Sequence, residues 1–114
     1  MSDFGALISI RKIDKSSFSA TEVQAMKELC ATVKDQLQLK NSMGDFYDYS
    51  VGRTVRLGED ECFELNVLLS DYWGDAEMFE WHKEVDEKDA QKIAAVLADH
   101  LGSGYQLKAS FEWW

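Results

Sequence analysis

Four stretches of the chain carry the residue pattern of β-strands. The stretches at 45–57, 61–70 and 105–114 alternate apolar with polar residues, which predicts strands with one buried face. The stretch at 4–13 is apolar at both parities, as is typical of a strand that is central or covered on both faces. Gly58-Glu59-Asp60 is the turn expected between the second strand and the third.

Helical spacing of apolar residues predicts two helices. Ser19 is the expected N-cap of the first, and Glu22 three residues later completes a capping box. The second helix is expected to begin after an N-cap at Asp86, with Asp89 at its third position. Gly102 then follows the last turn, where glycine commonly ends a helix.

The segment between these helices and strands has a less distinct pattern. Residues 73–76 are expected as a turn because they contain Gly74-Asp75. The residues that follow alternate, which predicts a short additional strand, with a loop as the alternative. One parity is expected in the core and the other outside: Phe79, Trp81 and Lys83 inward, and Met78, Glu80 and His82 outward. In the last strand, Phe111 and Trp113 are expected inward.

The predicted order of elements is β-α-β-β-(β)-α-β, where the bracketed strand is the additional one. Alternating strands and two amphipathic helices favour an α+β fold with a mainly antiparallel sheet and both helices on one face. This order is a variant of the ferredoxin-like split βαβ plan. Residues 1–114 are expected to form a single domain, and the plan itself does not indicate a function.

The charge of the chain limits the classes of partner. It has 21 acidic and 12 basic residues, a formal net charge of −9 and a pI near 4.6. Nucleic acids and anionic membrane surfaces need a basic face, so neither is expected as a partner. The acidic surface instead favours a basic protein partner, or it serves only solubility.

Localisation is inferred from the first residues and from the cysteines. The stretch that begins at Met1 has no basic region before its short apolar run, so a signal peptide is not expected. No apolar run approaches the length of a membrane span. Two cysteines, Cys30 and Cys62, are too few for a disulfide scaffold, and a cytoplasmic location is expected.

No catalytic, metal or cofactor site is predicted from motifs. The chain has no CxxC, HExxH or GxSxG sequence, and Cys30 lies on the apolar stripe of the first helix. Glu80 and His82 on the outward face of the sheet are the candidate acid–base pair for an enzymatic alternative. A binding role is favoured over an enzymatic one.

The segment from Asp71 to Asp89 is the main indication of a binding role. It holds eight acidic and two lysine residues, a net charge of −6, together with four large aromatic residues. Carboxylates steer and bind basic partners, while exposed aromatic rings act as anchors. The predicted partner-binding residues combine this segment with the C-terminal residue: Asp71, Tyr72, Trp73, Asp75, Glu77, Glu80, Glu84 and Trp114.

Three functions are compatible with these features. The first is a small acidic protein-binding domain, in its most specific form an inhibitor or immunity-type protein that masks a basic partner such as a nuclease toxin. The second is an assembly module that forms a homodimer through a sheet edge. The third is a small-ligand or enzymatic domain that uses the outward face of the sheet.

Overall fold

The computed structural model describes residues 2–55 and 62–114 as an antiparallel five-stranded sheet with two helices. The elements in chain order are β1 (Ser2–Lys12), α1 (Ala20–Leu37), β2 (Ser50–Val55), β3 (Cys62–Leu68), β4 (Tyr72–Gly74), α2 (Ala76–Leu101) and β5 (Tyr105–Trp113). This order confirms the predicted α+β fold. The fifth strand is β4 rather than the segment that was expected to form it.

β1 is the central strand of the sheet. It pairs with β3 along one edge and with β5 along the other, and β2 lies beyond β3. β1 and β2, which α1 connects, are therefore separated by β3, as the split βαβ plan requires. Four even-numbered residues in the middle of β1 face the core and are fully buried: Phe4, Ala6, Ile8 and Ile10.

β3 and β4 form one interrupted strand along the same edge of β1. Their pairing registers with β1 differ by one residue, so the chain contains a β-bulge between them. The amides of Leu69 and Ser70 both donate to the carbonyl of Ala6, at 2.9 and 3.4 Å. The Ala6 amide donates in turn to the hydroxyl of Ser70 at 3.0 Å. The bulge brings the Ser70 backbone against Gly5, where a Cβ atom would lie 1.8 Å from the Ser70 carbonyl oxygen.

The first helix begins at the predicted N-cap. The Ser19 hydroxyl accepts from the Glu22 amide and the Glu22 carboxylate accepts from the Ser19 amide, both at 3.1 Å, which completes the capping box. Gln38 ends the helix in a left-handed conformation, with its amide bonded to the Lys34 carbonyl. Cys30 is buried on the apolar stripe, and burial raises the pKa of its thiol to about 11.

The second strand begins later than predicted. β2 begins at Ser50 because Tyr49 has a φ of 54°, a left-handed conformation that cannot belong to a strand. Tyr47 and Tyr49 are nevertheless buried, as the alternation indicated. The predicted turn at Gly58-Glu59-Asp60 lies outside the described residues, and so does the side chain of Cys62.

The second helix corrects the prediction for its N-terminal half. α2 is continuous over 26 residues, and its N-cap is Asp75, whose carboxylate accepts from the Met78 amide at 3.0 Å. The strand expected over residues 79–83 and the N-cap expected at Asp86 are therefore wrong. No glycine or proline interrupts the sequence between Asp75 and Gly102, and most of its residues favour helices.

The continuous helix also changes which side chains are buried. Phe79 and Phe111 lie in the core as expected. Trp81 and Trp113 were also expected there, but they are 52% and 43% exposed. The Trp113 ring stacks on Phe79, with centroids 4.5 Å apart, and remains partly exposed. The prediction for His82 is reversed, since it is 2% exposed.

The turn expected over residues 73–76 is also wrong. Tyr72 to Gly74 instead extend along β1 as β4, with Trp73 opposite Asp3. Pairing with a strand far away in the sequence decides this conformation, and local residue preferences do not reveal it.

Gly5→Ala tests the bulge. The added methyl group has no room beside the Ser70 carbonyl, so we expect the free energy of unfolding to fall by about 3 kcal/mol. Urea denaturation measures this loss. Gly52→Ala is the matched control, because a Cβ atom at Gly52 meets no atom within 4 Å. Equal stability of the two variants would contradict the bulge geometry.

Candidate protein-binding site

The residues of α2 that face the sheet recur every three or four positions: Phe79, His82, Asp86, Asp89, Ala90, Ile93 and Leu97. This pattern fixes the rotation of the helix about its axis. The opposite side of its N-terminal half is consequently directed away from the sheet. Three of the predicted partner-binding residues lie on that side and are exposed: Glu77, Glu80 and Glu84.

Trp81 lies between an acidic and an apolar row on the exposed side of α2. Residues three or four apart are neighbours on a helix surface, so Glu77 and Glu84 flank Trp81 on one side. Met78 and Val85, each 41% exposed, flank it on the other side. We call Glu77, Met78, Glu80, Trp81, Glu84 and Val85 together the α2 face. Met78 and Val85 were not among the residues predicted to bind a partner.

The other predicted residues lie elsewhere or have structural contacts. Trp73 is the cross-strand partner of Asp3, and a Cβ atom at Gly5 would lie 2.8 Å from the Trp114 ring, so both tryptophans belong to the outer face of the sheet. Asp75 caps α2, and Asp71 is exposed in the connection before β4. The sheet therefore separates the predicted set into two surfaces.

Tyr72 belongs to a buried polar cluster beneath α2. Its hydroxyl donates to the Asp86 carboxylate at 2.5 Å. The same carboxylate, which has no exposed surface, accepts from the Ser42 amide at 3.0 Å and from the Tyr47 hydroxyl at 3.2 Å. Tyr47 also donates to Asp89 at 2.7 Å, and its single proton therefore lies between two carboxylates. Burial, followed by these acidic partners, raises the pKa of Tyr47 and keeps its phenol protonated.

His82 completes the cluster. Its ring stacks on Tyr72 with centroids 3.8 Å apart and an interplanar angle of 9°. Its Nδ1 atom lies 2.6 Å from the Ser42 hydroxyl oxygen. Burial lowers the pKa of His82, and the negative charge of Asp86 opposes this shift. Together these contacts attach the segment around Ser42 to the middle of α2.

The cluster contains a serine, a histidine and an aspartate, but not in a catalytic arrangement. In a hydrolase triad the carboxylate orients the imidazole and the imidazole activates the serine. Here the hydrogen bonds of Asp86 go to the Ser42 amide and to two tyrosine hydroxyls. His82 is also too deeply buried to meet a substrate. The arrangement is suited to holding segments together.

The outer face of the sheet has a groove of about 500 Å³ lined mostly by polar residues of β1, β3 and β5. Two side chains of its lining pair with each other, Arg11 with Glu64 at 3.0 Å, and Ser9 bonds to the neighbouring Asn66 at 3.1 Å. Neither Glu80 nor His82 is part of this face, because both belong to α2. The predicted acid–base pair on the sheet is therefore wrong.

Within residues 2–55 and 62–114, no cluster of three or more His, Cys, Asp or Glu side chains is arranged to hold a metal ion. No helix in the described part of the chain is long and apolar enough to cross a membrane. The chain matches no protein-family model, no curated protein and no solved structure.

The sequence contained a signal for the buried cluster. The apolar positions Ala90 and Ile93 continue towards the N-terminus through Asp86, His82 and Phe79 at intervals of three and four residues. The polar character of Asp86 and His82 hides this helical pattern. Polar residues at helical core positions are therefore the feature that would have identified the cluster.

Asp86→Asn tests the cluster. A carboxylate offers two acceptor oxygens, whereas an amide offers one oxygen and an NH₂ group, so one buried donor loses its partner. We expect the free energy of unfolding to fall by about 2 kcal/mol in urea denaturation. Asp99→Asn, at an exposed position of the same helix, should change it by less than about 0.5 kcal/mol. Equal effects of the two substitutions would show that Asp86 has no special structural role.

A second prediction concerns pH. Because the pKa of His82 is lower in the folded than in the unfolded protein, the unfolded state binds more protons below about pH 6.5. The free energy of unfolding should therefore decrease as the pH falls from 7.5 to about 5.5. Carboxylates with lowered pKa values, such as Glu22, lose their contribution only below their ordinary value of 4.5.

Urea denaturation at a series of pH values measures this slope. His82→Gln should flatten it, whereas Phe79→Leu, a core substitution in the same helix, should retain it at lower overall stability. If the free energy of unfolding of His82→Gln still decreased with falling pH as steeply as that of the wild type, groups other than His82 would be the cause of the pH dependence.

Proposed function

We propose that the protein is a small acidic protein-binding domain and that its α2 face binds a basic protein partner. The observation that supports this most is the position of Trp81. A tryptophan that is about half exposed, beside apolar Met78 and Val85 and acidic Glu77 and Glu84, combines the two features of a binding site for a basic protein.

The two rows of the α2 face have different roles in this proposal. Trp81 supplies apolar area and a ring face for a lysine or arginine of the partner. Glu77, Glu80 and Glu84 attract the partner during encounter and bind its guanidinium groups. The acidic row therefore governs mainly the association rate, and the apolar row governs mainly the lifetime of the complex.

The buried cluster supports the proposal through rigidity. Asp86 and His82 attach the middle of α2 to the rest of the protein, directly beneath the α2 face. A surface that is ordered before binding loses less conformational entropy when a partner arrives. Because α2 is held in place, the α2 face can bind a partner tightly even though its area is small.

The most specific form of the proposal is an inhibitor or immunity-type protein that masks a nuclease toxin. A nuclease must attract phosphate, so the cleft that binds its substrate is basic. An acidic helix face of this kind competes for such a cleft and reaches it quickly. The net charge of −9 on the whole chain also attracts a basic partner.

The experiment compares three immobilised proteins in the lysate of the source organism: wild type, Glu80→Lys/Glu84→Lys, and Glu28→Lys/Asp35→Lys. The last is the matched control, with the same change of charge at exposed positions of α1. Asp75 is left unchanged because it caps α2. We expect wild type and control to retain the same basic protein at low salt and release it at high salt. The α2 variant should not retain it, and its association rate with that protein should fall by more than about tenfold.

Retention that is equal for all three proteins, or no retained basic protein at low salt, would contradict the proposal. A retained protein with nuclease activity that the wild type suppresses would support the inhibitor role. A retained basic protein without such activity would overturn the inhibitor role and support the broader binding role.

A further inference from the structure

β5 is a long strand at the edge of the sheet. It has nine residues and, within the described part of the chain, pairs with β1 alone. The amides of Ile13 and Trp114 donate to the carbonyls of Gly104 and Asp3, both at 3.0 Å. These bonds fix the pattern along the strand: even-numbered residues of β5 bond to β1, and odd-numbered residues direct their amide and carbonyl groups to the free edge.

A regular free edge of this length can pair with another strand. On the outer face of the sheet, β5 carries one cation, Lys108, and one anion, Glu112, at equal distances from Ser110. A strand with this arrangement is complementary in charge to an antiparallel copy of itself. The complementarity indicates a second copy of this chain as the occupant of the edge.

We propose that two copies of the protein pair through β5 in antiparallel orientation, with Ser110 on the two-fold axis. Lys108 of each copy then lies opposite Glu112 of the other, so the interface contains two ion pairs. On the core-facing side, Leu107 lies opposite Trp113 and Ala109 opposite Phe111. The exposed ring of Trp113 thereby gains an apolar neighbour.

The backbone and the charges together select this register. The free-edge groups belong to odd-numbered residues, so odd residues must pair with odd residues and the axis must pass through a residue. An axis at Lys108 or at Glu112 places like charges opposite each other, which is destabilising. An axis at Ala109 or Phe111 leaves both charges without an opposite partner. An axis at Ser110 places Lys108 of each copy opposite Glu112 of the other copy, so both ion pairs can form.

The first test measures self-association of the purified protein by sedimentation velocity over a concentration series at moderate salt. Lys108→Glu and Glu112→Lys should each weaken the dimer by about tenfold or more, because each places like charges opposite each other twice. The double variant should dimerise about as tightly as the wild type, since it restores both pairs with their signs exchanged. Lys92→Glu, an equal charge change at an exposed position of α2, should have little effect.

The second test detects a weak dimer by trapping it. In a non-hydrogen-bonded antiparallel pair the Cα atoms lie about 4.5 Å apart, within the range that a disulfide spans. Ser110→Cys in a Cys62→Ala background should therefore form a covalent dimer under mild oxidation. Ser103→Cys, an exposed position in the connection between α2 and β5, should remain monomeric under the same conditions.

The outcomes separate this proposal from the one for the α2 face, because only the purified chain is used. A monomeric wild type together with no covalent dimer of Ser110→Cys would overturn it. A double variant that is no tighter than the single variants would overturn the register. Restored dimerisation, or selective trapping at Ser110, would support it.

Discussion

The buried carboxylate of Asp86 is the constraint on which the organisation of this protein depends. A charged group without contact to water must have hydrogen-bond donors for its oxygens, and a missing donor is costly. Asp86 receives its donors from Ser42, Tyr47 and Tyr72, which lie in three separate places along the chain. The segment after α1, the approach to β2 and the start of β4 are therefore attached to one position on α2. The same attachment acts together with the apolar core residues of α2 to set its rotation, which leaves Trp81 on the exposed side.

The parts of the fold that could be predicted are those that local patterns determine. The capping box at Ser19 and Glu22 and the alternation in β3 and β5 identified the corresponding elements and gave the order of the α+β fold. The N-terminal half of α2 could not be predicted in this way. Asp86 and His82 become acceptable core residues through partners outside the helix, and Ser42 and Tyr47 among them lie about forty positions earlier in the sequence. β4 also depends on a distant partner, because its residues form a strand by pairing with β1.

The candidate binding site likewise has residues that the sequence identified and residues whose position depends on long-range contacts. Glu77, Glu80 and Glu84 were identified from composition, and their exposure on one helix makes them a continuous row. Composition could not separate Tyr72, whose hydroxyl is bonded to Asp86, from Trp81, whose ring is half exposed. Neighbouring aromatic residues in one acidic segment thus have opposite roles. Tyr72 lies in β4 and bonds to Asp86 on the buried side of α2, whereas Trp81 lies on the side of α2 that the rotation of the helix directs away from the sheet.

Hydrogen exchange of the Ser42 amide, followed by NMR in the wild-type protein, shows whether Asp86 attaches the connection after α1 to α2. This amide belongs to the connection after α1, where no regular helix or strand bond protects it, and its acceptor is the Asp86 carboxylate. We expect it to exchange as slowly as the buried amides of β1, because both should then open only when the core opens. Exchange at the rate of an exposed loop amide would contradict the claim that Asp86 fixes this segment to α2.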